Sequence, residues 1–201
     1  MTGTGPTARV PVAALRADAR RNISAILDAA LASLGRNPDV NMAEIARNAG
    51  VGRVTLYAHF PSKADLVDAV VAHAIARADE ALDAIDLDAD PPLVAVARLT
   101  ASSWQILSQH RQLMIAGQRH LGAARMRSHH DKAMDRVRHL ITRGQKGGHV
   151  RTDLPRDWLV ATYYALLHAA VDEVSDGRLK PKAAGEIVAA TIIAALAQPS
   201  A

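Results

Sequence analysis

Apolar residues recur at i, i+3, i+4 and i+7 along nearly the whole chain, and each such run closes at a glycine or a proline. That period belongs to the α-helix, where it gathers the apolar side chains into one stripe, and no segment shows the period-2 alternation of a half-buried strand. The chain is therefore read as all-α. The first stripe, Ile23, Ile26, Leu27, Ala30, Leu31 and Leu34, predicts a helix over 18–34 that Gly35 ends and Pro38 keeps from resuming. Asn41 followed by Glu44 has the form of a capping box and starts a short helix at Met42, which Gly50 stops. After the Val51-Gly52 corner a second short helix runs over 53–59, and Ser62 with Asp65 opens a long one reaching about residue 85. An acidic, proline-ended connection at 86–92 follows. Beyond it, helices are expected over 92–109, 111–120, 123–146, 156–175 and 182–197, about nine in all.

The filling of such helices is set by composition: 49% of residues are apolar but only 3% aromatic, so Ala, Leu, Val and Ile make the core. A length of 201 residues allows one domain or two small ones. With no cysteine, the chain has no disulfide framework and no thiol nucleophile, which suits a reducing cytoplasm. Residues 1–21 lack the apolar run of a signal peptide. The longest nearly uncharged stretches, 158–171 and 187–197, fall short of the ~20 residues a membrane-spanning helix needs. They are apolar almost all round, which on a water-exposed protein means burial on several sides or against a partner.

Net charge is +4, but its placement says more. Residues 1–65 carry +3, 66–121 carry −3, 122–155 carry +5 and 156–201 carry −1. Two basic segments flank an acidic one, a pattern compatible with an anionic partner and equally with solvated helix faces.

The two short helices and their glycine corner have helix-turn-helix spacing, with Ala46 at the crossing, Gly50 in the turn, and Val51 and Leu56 in the small core. At 100° per residue, Leu56 and Phe60 share one face of the second helix while Val54 and Ala58 lie opposite, flanked by Thr55 and Tyr57. The first pair packs. The second faces outward, where Val, Ala, Thr and Tyr make an odd solvated surface but suit a DNA major groove, in which small apolar groups meet thymine methyls.

The run from Val51 to Leu66, with Thr55-Leu56-Tyr57, His59-Phe60 and Lys63, closely resembles the signature of the tetracycline-repressor (TetR) family, whose core reads T-L-Y-x-H-F-x-x-K. The resemblance covers residues 20–70; the rest of the chain matches in length and helical layout. It implies a three-helix DNA-binding domain over 1–65 and a helical effector-binding and dimerization domain over 66–201. Arg53 is the expected base reader, with Val54 and Ala58 approaching bases or methyl groups. Thr55, Tyr57, His59 and Lys63 are expected to hold phosphates, and Arg20 and Arg21 to add phosphate or minor-groove contacts. Gly52 departs from the family, which commonly has a capping, phosphate-binding Ser there; as an N-cap, Gly costs only a few tenths of a kcal/mol against Ser.

One such head covers only a half-site, so a homodimer on a palindromic operator in double-stranded DNA is expected. Trp158, Leu159, Thr162, Leu166, Ile187, Thr191, Ile192 and Ala195 are the candidates for its interface. The family resemblance also implies a ligand cavity within 92–175. Polar or large residues on apolar stripes are its candidates: Trp104, Leu107, Ser108, Met114, Gln118, Met126, His130, Tyr163, Tyr164 and His168. His130 falls in a stripe with Ala123, Met126, Ala133, Met134, Val137 and Ile141, and so points inward. The effector would be small and mostly apolar. No histidine spacing suits a metal, no cofactor motif is present, and no Gly-rich phosphate loop or nucleophile elbow marks an enzyme. The main reading is a ligand-responsive repressor. Two others stay open, an effector-independent DNA-binding protein and an all-α small-molecule carrier.

Overall fold

The computed structural model describes residues 12–199, with side chains from Asn22 onward. Among them it contains nine helices: α1 (Val12–Arg36), α2 (Met42–Asn48), α3 (Arg53–His59), α4 (Lys63–Asp83), α5 (Pro92–Gln109), α6 (Arg111–Ser128), α7 (Asp131–Lys146), α8 (Arg156–Ser175) and α9 (Pro181–Leu196). Within these residues the one β contact is an isolated antiparallel bridge between Val150 and Ala197, which ties the loop before α8 to the end of α9. The fold is all-α, as the periodicity predicts.

Local signals account for most boundaries. Asn41 Oδ1 accepts from the Glu44 backbone N–H at 2.9 Å and starts α2. Ser62 and Asp65 close a complete capping box at α4, the Ser62 hydroxyl accepting from Asp65 N at 3.1 Å and the Asp65 carboxylate accepting from Ser62 N at 3.0 Å. Gly50 adopts φ 68°, a left-handed turn that any Cβ would strain.

Two boundaries differ from the sequence expectation. α1 begins at Val12, not near residue 18. The helix expected over 123–146 does not exist as one piece. Gly122, at φ 75° and ψ 164°, is non-helical and interrupts α6 where a glycine break is expected, and the chain breaks a second time at His129-His130. Neither a glycine nor a proline marks that second break; one tertiary bond and one local bond hold it. His129 Nε2 donates to Asp68 of α4 at 2.8 Å, and His130 Nδ1 donates back to the Met126 carbonyl at 2.8 Å.

The helices bury two apolar clusters. One joins α1, α2 and α3 through Ile26, Leu34, Ile45, Leu56 and Phe60 to the first half of α4 and to Leu113, Met114, Ala116 and Met126 of α6. The other fills the space among α5, α7, α8 and α9 and reaches Leu82 near the end of α4. α4 thus belongs to both, and four polar pairs tie it to its neighbours. Asp28 of α1 meets His73 and Arg77 at 2.9 and 3.1 Å, Asp68 meets Arg125 at 2.6 Å, and Arg136 of α7 meets Asp79 at 2.5 Å.

The capping box sits at the start of α4, between Phe60 and Leu66 of the head cluster. Ser62→Ala is expected to lower stability by about 1 kcal/mol with an unchanged m value in urea denaturation. A change within error would show that the box contributes nothing to holding α4.

Candidate nucleic-acid interface and central cavity

α2 and α3 are held at their corner by Val51 N donating to Ala46 O at 3.0 Å and by the buried Leu56 and Phe60, so one side of α3 is fixed against the head. The other side is bare. Val54 is 85% exposed and Tyr57 48%, and Arg53, Thr55, Ala58 and His59 are exposed with them. An apolar Val and a Tyr turned to water on one short helix form a surface shaped to touch something. Gly52 caps α3 without a side-chain bond. Lys63 is half-buried, and its Nζ donates to the Pro38 carbonyl at 3.3 Å, which pins the α1–α2 loop and leaves the cation beside α3. Arg20 and Arg21 lie in α1, but their side chains are outside the described residues. The sequence reading missed Arg47, exposed on α2, which lines a shallow depression with Glu44, Val51 and Arg53. Its position at the last turn of α2, one residue past Ala46, was the available signal.

A cavity lies between α4 and the bundle of α5, α6, α7 and α8. Its space, about 80 Å³ for the centre of a water-sized sphere, is several times the ~15 Å³ that one water needs, so it admits a molecule of several heavy atoms. Of the residues expected to line a cavity, Leu107, Met114, His130, Tyr163, Tyr164 and His168 do so. The other four do not line this one, although Trp104 and Ser108 border a separate pocket with Arg111, Val171, Val174 and Pro181. Trp104 packs flat on Gly185 of α9, where an added Cβ would meet its ring at 2.8 Å. Met126 fills the gap over Gly117 in the other cluster, and Ser108 and Gln118 are exposed. Periodicity put these on apolar stripes, but a stripe does not say which neighbour it faces.

The largest share of the lining that sequence reasoning missed comes from α4: Val71, Ala74, Ile75, Ala78, Asp79 and Leu82. Ala74 and Ala78, one turn apart, are too small to fill the space before them. His130, Tyr164 and His168 form an aromatic cluster, with His130 edge-on to His168 at 5.0 Å and Tyr164 tilted against His168 at 4.2 Å between centroids. Arg127 covers the Tyr164 ring at 4.8 Å. Burial, reinforced by His130 and Arg127, pushes the His168 imidazole down to about 4. Burial also lowers His130, against the pull of its bond to the Met126 carbonyl. Both rings are neutral at pH 7.

On the far side of the body, α8 and α9 present a third surface. Trp158 and Ile187 are 62% and 47% exposed, Thr191 is exposed, and Thr162, Leu166 and Ala195 are partly so. Leu159 and Ile192, read from sequence as interface candidates, turn the other way and are 1% and 0% exposed within the chain's own core. Among the described residues no group of three His, Asp or Glu side chains could hold a metal, and no helix is long and apolar enough to cross a membrane.

Residues 26–70, from the middle of α1 into α4, match the family model described as bacterial regulatory proteins, tetR family. The HTH-type transcriptional repressor LfrR of Mycolicibacterium smegmatis is 26% identical over 161 residues, 78% of this chain and 81% of that protein. Its crystal structure, a TetR-like regulator from Mycobacterium smegmatis in complex with proflavine, superposes with a TM-score of 0.63 at 22% identity, covering 90% of this chain and 99% of that one. The regulator FadR from Bacillus subtilis, in complex with stearoyl-CoA, gives a TM-score of 0.68 at 18% identity over 86% of this chain and 98% of that one. At these identities the structures establish the shared fold, while the matched segment spans the helix-turn-helix itself. Residues 26–70 are thus similar to the DNA-binding segment of the bacterial regulatory proteins of the tetR family, and the described chain shares the fold of TetR-like transcriptional regulators.

Proposed function

We propose that this protein is a cytoplasmic, homodimeric repressor that binds a palindromic operator in double-stranded DNA and leaves it when a small, mostly apolar molecule fills the central cavity. The observation that carries this reading is the double membership of α4. Its first half shares the head's apolar cluster through Leu66, Val67 and Val70, packed on α1 and α6, and its second half forms a wall of the cavity. A molecule seated against Ala74 and Ala78 pushes on the same rigid element that anchors the DNA-binding head. Its effect on DNA binding equals its difference in affinity between the two head positions. A body filled solid would have favoured effector-independent binding, and this one has a cavity.

In this reading residues 1–65 hold the DNA and 66–201 hold the effector and the second protomer. Arg53 reads a base edge, guanine being the usual partner of an arginine, while Val54 and Ala58 meet bases or thymine methyls. Thr55, Tyr57, His59 and Lys63 hold phosphates, as do Arg20 and Arg21 on α1, and Gly52 lets the backbone come close. Dimerization buries Trp158, Thr162, Leu166, Ile187, Thr191 and Ala195. That this apolar face of α8 and α9 stands exposed in the single chain supports such an interface. The relative LfrR is a repressor, and the sign of regulation is carried over from it.

Selection of genomic fragments by the purified protein, followed by sequencing, tests the DNA reading. One palindrome should be enriched. Arg53→Ala is expected to weaken binding by about 1–3 kcal/mol and relax preference at one position of each half-site. Tyr57→Phe should weaken all sequences alike and leave the preference intact. Absence of any enriched site at moderate salt would overturn the regulator's operator reading.

The interface is tested by Ile187→Asp, with Trp158→Asp alongside it. Sedimentation velocity should show a dimer for the parent chain and a monomer for both variants, with operator binding falling together with the dimer. A parent that sediments as a monomer at micromolar concentration would rule the interface out.

A further inference from the structure

The polar chemistry of the cavity narrows what can fill it. Its wall holds one carboxylate, Asp79, and one guanidinium, Arg136, and these are bound to each other. Arg136 Nη1 donates to Asp79 Oδ1 at 2.5 Å and Nη2 to the Asp79 carbonyl at 3.1 Å, with both side chains nearly buried. Arg136 also binds Asp83, which Lys132 pairs in turn, so the four side chains are neutral as a group, and pulling Asp79 from it would strand a buried charge. Arg127 caps Tyr164 and is not among the lining residues. Neither a cation nor a carboxylate finds an uncommitted counter-charge, and each would lose its hydration on entry.

Of the uncommitted polar groups on the wall, which include the Tyr164 hydroxyl and the neutral His168 with its one N–H, His130 is the one whose role the geometry fixes, as an acceptor. His130 Nδ1 faces a carbonyl oxygen, which only accepts, so Nδ1 carries the proton and Nε2 has a lone pair. Among the described residues nothing bonds that Nε2, and no fully buried side-chain nitrogen or oxygen lacks a partner, so Nε2 opens to the cavity that His130 lines. His168, at 5.0 Å from it centre to centre, lines the same corner. The Tyr163 hydroxyl, 3.5 Å from Thr100 Oγ1, is turned into the protein instead. The rest of the wall near the histidines is Val, Leu, Met and Ala from α4, α6 and α7.

We infer that the cavity selects an uncharged, largely apolar ring compound carrying a hydroxyl or N–H that donates to His130 Nε2. This deepens the effector reading above and rests on it. The cavity gives such a molecule one directional bond and apolar contact elsewhere, and it leaves the Asp79–Arg136 pair intact. The same molecule without its donor strands the His130 lone pair in an apolar corner, and that penalty is the source of selectivity.

Isothermal titration calorimetry of the full chain at neutral pH with four matched single-ring probes tests this: phenol, anisole, benzoate and a phenyltrimethylammonium salt. Phenol should bind at least about tenfold tighter than each of the others. His130→Phe should bring the phenol and anisole affinities together by tightening neither and weakening only phenol. A measurement that needs no variant runs beside it: with ¹⁵N-labelled histidine, the His130 Nε2 resonance should start in the unprotonated range and move on adding phenol but not its ether. Equal binding of phenol and ether, tighter binding of either ion, or a protonated Nε2 in the free protein overturns the ligand class alone. Failure of all four probes to bind, or to change operator affinity, overturns the class together with the effector reading.

Discussion

α4 is packed against both apolar clusters, and the rest of the architecture depends on that double burial. A helix buried on one side needs one apolar stripe; this one has Leu66, Val67 and Val70 turned to the head and Ala74, Ala78 and Leu82 turned to the body. The helix is stiff because its hydrogen bonds run unbroken from Lys63 to Asp83, and its entry is fixed by the capping box at Ser62. Displacement at one end therefore appears at the other. The small residues in its second half leave the cavity, so the same choice of alanine that lowers packing density there creates the place where a ligand acts.

Charges on the outer side of α4 decide where its neighbours sit. Asp68 accepts from both Arg125 Nε and Nη2, at 2.7 and 2.6 Å, and from His129 Nε2 at 2.8 Å. The Arg125 guanidinium beside Asp68, with His129, holds its carboxyl at about 2 despite partial burial. Exposed pairs of this kind contribute little to stability. Their value here is geometric, because the His129 contact fixes the turn whose next residue, His130, lines the cavity. The turn thus joins a residue that lines the cavity to one that grips the first half of α4.

The head was legible in the sequence because its determinants are local. Asn41, Gly50, Ser62 and Asp65 each act within one turn of themselves, and Leu56 and Phe60 separate from Val54 and Ala58 by helical geometry alone. The cavity was legible only in part. Tyr163, Tyr164 and His168 stood out as polar or bulky groups on an apolar helix, whereas the α4 wall looked like ordinary core, since an alanine facing a void and an alanine facing a leucine read alike. Trp104 misled for the opposite reason: its size suggested a ligand, and its partner is a glycine on a helix some eighty positions away.

By itself, then, the sequence determined the helical period, the caps, the breaks at glycine and proline, and the face of α3 left bare, all of which follow from interactions spanning about four residues. The tertiary structure alone decided where α6 ends. His129 stops there because it reaches Asp68, 61 positions earlier in the chain, and no short-range rule encodes that contact. It also decided which side of each stripe meets a cavity, a core or open solvent, sending Leu159 and Ile192 inward while Trp158 and Ile187 stay out. The physical reason is the same in each case: hydrophobicity fixes that a face is buried but is non-directional, and only packing against particular neighbours settles what buries it.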